Sequence, residues 1–237
     1  MHSMKKLAAA LVVAGAVSGC AVQVPRQAFN AAAASHIKTV VVTQSPNQDK
    51  YEAAVLGHPG MSFGLIGGLV AAANISAKST KLTNAIGADE TKLQERMTVR
   101  LTERLKESGY DVQVATVPKD AKEDQALAAA REGRRSDAVL LVNVVGAYWA
   151  AGPSTDYFPR VLLKVKELDS SGKTLYEDTI TYGYAMANSQ TVHLASDPKY
   201  RFKDIDVLIA DPELTRNGLF EGVDAVATQV AADLKKL

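Results

Sequence analysis

The stretch "SDAVLLVNVVGAYWA", residues 136–150, constrains the fold of this chain most. From Ala138 to Val145 the apolar run is broken only by Asn143. A run of this length, rich in β-branched residues, reads as a central strand buried on both faces. Such a strand needs a packed layer above and below it. The rest of the chain supplies both helical and strand patterns, so the expectation is an α/β (α+β) fold, a single mixed sheet of about five strands with helices packed against it.

The flanking segments fill in that sheet. "IKTVVVTQ", Ile37 to Gln44, reads as a strand, as does Tyr110 to Val117. "RVLLKVKELDSSGKTLYEDTITYGYA" reads as an antiparallel hairpin around Asp169-Ser170-Ser171-Gly172, with Tyr176, Ile180, Tyr182 and Tyr184 on one parity of its second strand. Leu93, Met97, Leu101 and Leu105 line one face of a helix that Asp89 could cap and Gly109 could terminate. Lys119 to Arg131 is a second, Ala-rich helix. The chain closes on a third, with Asp211 at the N-cap, Pro212 in its first turn, Lys235-Lys236 in its last and an apolar stripe of Leu219, Val223, Val226, Val230 and Leu234.

The N-terminus has a separate logic. Lys5 and Lys6 precede an apolar run, Leu7 to Val17, too short to span a bilayer, and small residues lead to Cys20, the sole cysteine. This is the layout of a secretory signal. Val17-Ser18-Gly19-Cys20 resembles the lipobox of bacterial lipoproteins. The resemblance implies cleavage between Gly19 and Cys20, and diacylglycerol and fatty acyl (palmitate) groups on Cys20, with no other cofactor. Two or more acyl chains anchor a protein stably where one does not. By the sorting pattern of enterobacterial lipoproteins, Ala21 in place of Asp implies the cell outer membrane, with the domain on the periplasmic side. The expected organisation is a signal peptide over 1–19, a lipidated N-terminus and tether over 20–36, and one domain over 37–237. The element order and the Asp-x-x-Gly-Lys hairpin also resemble small α/β envelope lipoprotein domains. These are the curli-secretion lipoprotein, the N-terminal domain of the Tol-system propeller protein, and the lipoprotein activators of penicillin-binding proteins.

Charge excludes some roles. The chain has 27 Lys+Arg against 26 Asp+Glu; without Lys5 and Lys6 this is 25 against 26. No basic excess supports nucleic-acid binding. With Cys20 acylated there is no disulfide to staple the fold, so stability rests on the core.

Residues 53–77, "AAVLGHPGMSFGLIGGLVAAANISA", contain no Asp, Glu, Lys or Arg. One reading is a loop and helix packed on the domain. The other is a surface over 60–77, with Phe63, Gly64, Leu65, Ile66, Gly68 and Leu69, that contacts the membrane or other copies of the chain. No Lys-Ser/Thr follows the glycines and no G-x-G-x-x-G occurs, which argues against nucleotide binding.

No H-E-x-x-H or C-x-x-C is present, so no metal site is expected. Ser189, His193 and Asp197 have the residue types of a triad, but no G-x-S-x-G accompanies them and no catalytic residue is assigned. Arg96, Arg100 and Arg104 form a row that Glu103 and Glu107 can offset. Tyr148, Trp149, Tyr157 and Phe158 flank a Gly/Pro loop at strand ends and are the candidates for binding a partner; the alternative is that they cover one end of the core. The expected function is that of a non-enzymatic accessory or assembly factor on an envelope protein partner. The alternatives are a membrane-associating homo-oligomer using 60–77, or an envelope hydrolase.

Overall fold

The structure, a computed structural model, describes residues 26–32, 34–57, 64–186 and 191–235, with backbone only for 64–67. Its mixed sheet has seven strands: β1 (Thr39–Gln44), β2 (Glu52–Val55), β3 (Asp111–Thr116), β4 (Ala138–Ala150), β5 (Phe158–Asp169), β6 (Thr174–Gly183) and β7 (Val192–Leu194). The order is β3-β1-β4-β5-β6-β7, with β2 beside β4 beyond the end of β1. β3, β1, β2 and β4 run parallel, β4-β5-β6 antiparallel, and β6-β7 parallel. The helices are α1 (Gly64–Ile86), α2 (Ala88–Thr91), α3 (Leu93–Glu107), α4 (Glu123–Arg131), α5 (Ile205–Ala210) and α6 (Pro212–Asp233).

The α/β expectation holds, with β2 and β7 beyond the five strands read from sequence. Both are short, and "EAAV" carries a single β-branched residue, so β2 exists through its pairing with Ala147–Ala150 rather than through propensity.

α3 and α6 cover one face of the sheet. Leu93, Met97, Leu101 and Leu105 meet Leu219, Val223, Val226 and Val230, all fully buried, as the stripes require. Asp211 caps α6, accepting from Leu214 N at 2.9 Å. α6 lies close to the sheet because Gly222 has no side chain: a Cβ there would stand 2.6 Å from Val161 and 2.7 Å from Tyr182.

Among the described residues the second face carries only α4, whose Ala130 packs with Val41, Ala115 and Val139. This corrects the reading of β4 as buried on both sides. Asn143 is exposed and Val145 is 44% exposed, because no helix of the described residues reaches the middle of that face.

Capping of α3 also differs from expectation. Asp89 lies inside the short α2, and the chain breaks at Lys92, with φ of 35°. The cap comes from a distant segment: Asn47 Oδ1 accepts from Gln94 N at 3.0 Å and Glu95 N at 3.1 Å. Gly109, with φ of 84°, closes the helix as read.

Between β1 and β2 the edge of β4 has no strand beside it, and side chains take its place. Thr43 Oγ1 accepts from Val142 N at 2.9 Å. The Gln94 amide accepts from Val144 N at 3.1 Å and donates to Val142 O at 3.3 Å. The Gln48 amide does the same for Gly146, at 2.8 and 2.9 Å. Buried peptide groups need partners, and a Gln amide offers one donor and one acceptor in the spacing a strand would.

Residues of the segment read as a tether lie against the sheet. Arg26 pairs with Asp178 at 3.1 Å, and Gln27 bridges Glu177 in antiparallel fashion. Phe29 packs on the core and Ala34 is buried within it.

At the start of β1, the carboxylate of Asp137 accepts from the N–H groups of Lys38 and Thr39 at 2.8 and 2.9 Å. The Thr39 bond is the larger cause, and together they hold its pKa below the usual carboxylate range. A lowered folded-state pKa gives stability that is present above the unfolded value, near 4, and is lost as pH falls through the folded one. Asp137→Asn is therefore expected to unfold at lower urea concentration than the parent at pH 7. The gap should close near pH 2; a gap of equal size at both pH values would refute this.

Candidate functional site

Pleat parity divides the four aromatics proposed from sequence. Tyr148 and Tyr157 point into the core. The Tyr148 hydroxyl donates to Thr215 O at 2.9 Å, its ring meets Phe202 edge-on at 5.6 Å, and burial raises its pKa well above the ordinary value. Tyr157 accepts from Lys78 Nζ at 3.1 Å. Both side chains are buried: each stands one residue from its aromatic neighbour, and adjacent residues on a strand face opposite ways.

Trp149 and Phe158 are directly opposed across β4 and β5 on the other face. Tyr184 joins them, its ring 5.9 Å from Trp149 and 6.4 Å from Phe158, both edge-on. Parity alone put Tyr184 in the core row with Tyr182. Gly183 breaks that row: its φ of 81° redirects the chain, and a Cβ there would collide with the Pro159 carbonyl.

Two arginines complete the cluster. The Arg160 guanidinium lies 4.0 Å from the Trp149 ring, and that of Arg201 lies 5.0 Å from Phe158. Trp149 Nε1 donates to Glu52 at 2.6 Å. Burial pushes the Arg160 pKa down, with Glu52 as the opposing charge, and Arg160 Nε is buried without a hydrogen-bond partner. Sequence reading missed Arg160, although it shares parity with Phe158. Glu52 and Arg201 arrive from distant segments and left no local signal.

A cleft of about 450 Å³ opens elsewhere on this face, between α4 and the middle of the sheet. Asn143, Lys164 and Thr179 form part of its floor, and Glu123 lies at its α4 side. Lys166 spans it, 2.9 Å from Glu123 and 3.8 Å from Glu177. With lysines and carboxylates both present, the cleft has no single sign of charge.

The remaining candidates are occupied in structural roles. His193 Nε2 donates to Gly183 O at 2.8 Å. Asp197 accepts from Lys199 N at 2.9 Å and pairs with Lys199 Nζ at 3.1 Å, bonds that lower its pKa, the backbone one foremost. The Asp197 carboxylate is thus engaged with Lys199 rather than His193, and Ser189 lies outside the described residues. In the arginine row, Glu103 and Glu107 pair with Arg100 and Arg104 as expected, and Asp224 of α6 adds bonds to Arg96 and Arg100 at 2.7 and 3.1 Å. Among the described residues no cluster of His, Cys, Asp and Glu could hold a metal, and no helix is long and apolar enough to cross a membrane.

Gly19, Cys20 and Phe63 lie outside the described residues. Gly64, Leu65 and Ile66 form the first turn of α1, with no side chains described. Gly68 and Leu69 follow in the same helix; Leu69 is 63% exposed and the adjacent Val70 59%.

No protein-family model matches the chain, and no curated protein matches it. Among solved structures it is similar to the PelC dodecamer from Paraburkholderia phytofirmans, at 15% identity and a TM-score of 0.36, over 91% of this chain and 98% of that one. It is also similar to a Xanthomonas campestris protein of the family DUF330, at 11% identity and a TM-score of 0.40, over 88% and 87% of the two chains. Neither is one of the envelope lipoproteins suggested by element order, and at these scores neither likeness assigns a family or an activity.

Proposed function

We propose that this chain is a lipid-anchored, non-enzymatic accessory protein of the bacterial envelope. It stands on the periplasmic side of the outer membrane and binds another envelope protein. The observation that carries the reading is the resemblance of Val17-Ser18-Gly19-Cys20 to a lipobox, followed by a domain whose second sheet face is left open around Asn143 and Val145. An acylated cysteine holds the domain at a membrane, and a sheet face without its helices is a surface to which a partner can be fitted. The cleft beside α4 gives that face relief, and its mixed charge suits a protein surface better than a nucleic acid. The exposure of Leu69 and Val70 favours a second reading, a membrane-associating homo-oligomer.

Two measurements test the preferred reading. Metabolic labelling with a palmitate analogue should mark the parent in the outer-membrane fraction and leave Cys20→Ser unlabelled. Equal labelling of both proteins would remove the anchor from the argument. A photo-crosslinking residue at Lys164 should give one discrete adduct with an envelope protein, while the same group at Lys106, exposed on α3, gives none. Identical patterns from the two positions would count against a partner on the open face.

A further inference from the structure

Three features of different origin meet at one end of the sheet, where β2, β4 and β6 finish and β5 begins. The first is the Trp149, Phe158 and Tyr184 cluster with Arg160 and Arg201 against its rings.

The second is α1. Ser79 Oγ accepts from Ala53 N at 3.0 Å and Thr83 Oγ1 from Tyr51 N at 2.9 Å, so the helix runs antiparallel to β2. From Ser79 back to Leu69 the helix climbs about 15 Å, while β2 continues only about 7 Å past Ala53. The early turns of α1 therefore extend past the end of β2, with Ala71 buried and its neighbours Leu69 and Val70 outward. Leu69 and Val70 are exposed there, within a stretch of 53–77 that has no charged residue.

The third is the position of the N-terminal segment. Arg26 pairs with Asp178 and Gln27 bridges Glu177, both on β6. The residues from Arg26 back to Cys20 can span at most about 20 Å. β6 covers about 17 Å from Asp178 to Gly183. Cys20 is within reach of the end that carries the other two features.

We propose that this end of the domain rests on the phospholipid surface in which Cys20 is anchored. Leu69 and Val70 enter the acyl region, and Trp149, Phe158 and Tyr184 lie at the boundary between acyl chains and headgroups with Arg160 and Arg201 facing phosphates. The proposal rests on the lipid anchor of the preceding reading and goes beyond it by orienting the domain. Tryptophan and tyrosine favour the membrane–water boundary, since their rings are apolar with a polar end. Arginine stems lie along apolar surface while the guanidinium stays with water or anionic headgroups. A second copy is the weaker occupant: among the described side chains of α1 only Leu69 and Val70 are large, apolar and exposed, well short of the ~800 Å² per partner that a stable interface buries.

Trp149 is the only tryptophan and Cys20 the only cysteine, so both ends of the contact can be read separately. The acylated full chain is reconstituted into phosphatidylethanolamine–phosphatidylglycerol vesicles, with or without brominated acyl chains. Flotation reports the anchor, and quenching of Trp149 reports the contact. Trp149 fluorescence is expected to be lower in brominated than in unbrominated vesicles, since a ring at the acyl boundary lies beside the quencher. The Leu69→Asp/Val70→Asp protein should still float but lose most of that quenching, and a polarity-sensitive dye on the thiol of Val70→Cys should shift to the blue. Flotation without quenching overturns the proposal. So does cross-linking of Val70→Cys between copies with no response of the dye to lipid. Failure to float would instead sink the anchor itself, and this proposal with it.

Discussion

A chain ending at Asp211 is expected to show no cooperative unfolding transition by circular dichroism, in heat or in urea. The truncation removes Leu219, Val223, Val226 and Val230, each fully buried, and Leu234, 1% exposed. Each such side chain contributes about 1.5–3 kcal/mol on burial, and whole domains are stable by only about 5–15 kcal/mol. Polar partners are lost as well. The hydroxyls of Tyr148, Tyr176 and Tyr110 donate to Thr215 O, the Asp233 carboxylate and Leu234 O at 2.9, 2.8 and 2.7 Å. These groups are buried or half-buried, and stranding them adds a desolvation cost to the lost area. A gentler variant isolates the packing. Gly222→Val keeps the helix but forces it away from Val161 and Tyr182, an overpacking expected to cost about 1–3 kcal/mol and to lower Tm. Cooperative melting of the truncated chain at the parent temperature would show that the sheet is stable without α6.

Gln94→Leu is expected to be strongly destabilising, by about 2–4 kcal/mol in urea titration, because two buried peptide groups each lose a partner. The size and apolar character of leucine would be welcome in most cores, and Gln94 is only 3% exposed. Here the side chain stands in for a missing strand, giving Val144 N an acceptor and Val142 O a donor. Gln94→Glu discriminates between shape and hydrogen bonding. It retains the acceptor for Val144 N, replaces the donor to Val142 O with a charge, and should be destabilised too. If Gln94→Leu were as stable as the parent, the stand-in role would be wrong.

The stripe on α6, the Asp211 cap and the Asp169–Gly172 turn are local, so a few neighbouring residues specify each of them, and each forms as read. Asn47 capping α3, and Gln48 and Gln94 filling the edge of β4, join residues about fifty or a hundred positions apart. Any exposed asparagine or glutamine looks the same in sequence, so these roles had no local signature.

The aromatic candidates divide along the same line. The sequence placed Tyr148, Trp149, Tyr157 and Phe158 at strand ends, which is where they are. Only the structure separated Tyr148 and Tyr157, in the core, from Trp149 and Phe158, on the open face, and added Tyr184, Arg160, Arg201 and Glu52.

By itself the sequence determined the α/β class, the helices α3 and α6 and the central strand, because hydrophobic periodicity and caps are written in residues that are close along the chain. The tertiary structure decided which face of the sheet stays open, which residues replace a missing strand, and which end carries the aromatic–arginine cluster beside the projecting α1. Those follow from pairing register and helix placement, where groups far apart in sequence compete for the same space and the same hydrogen bonds.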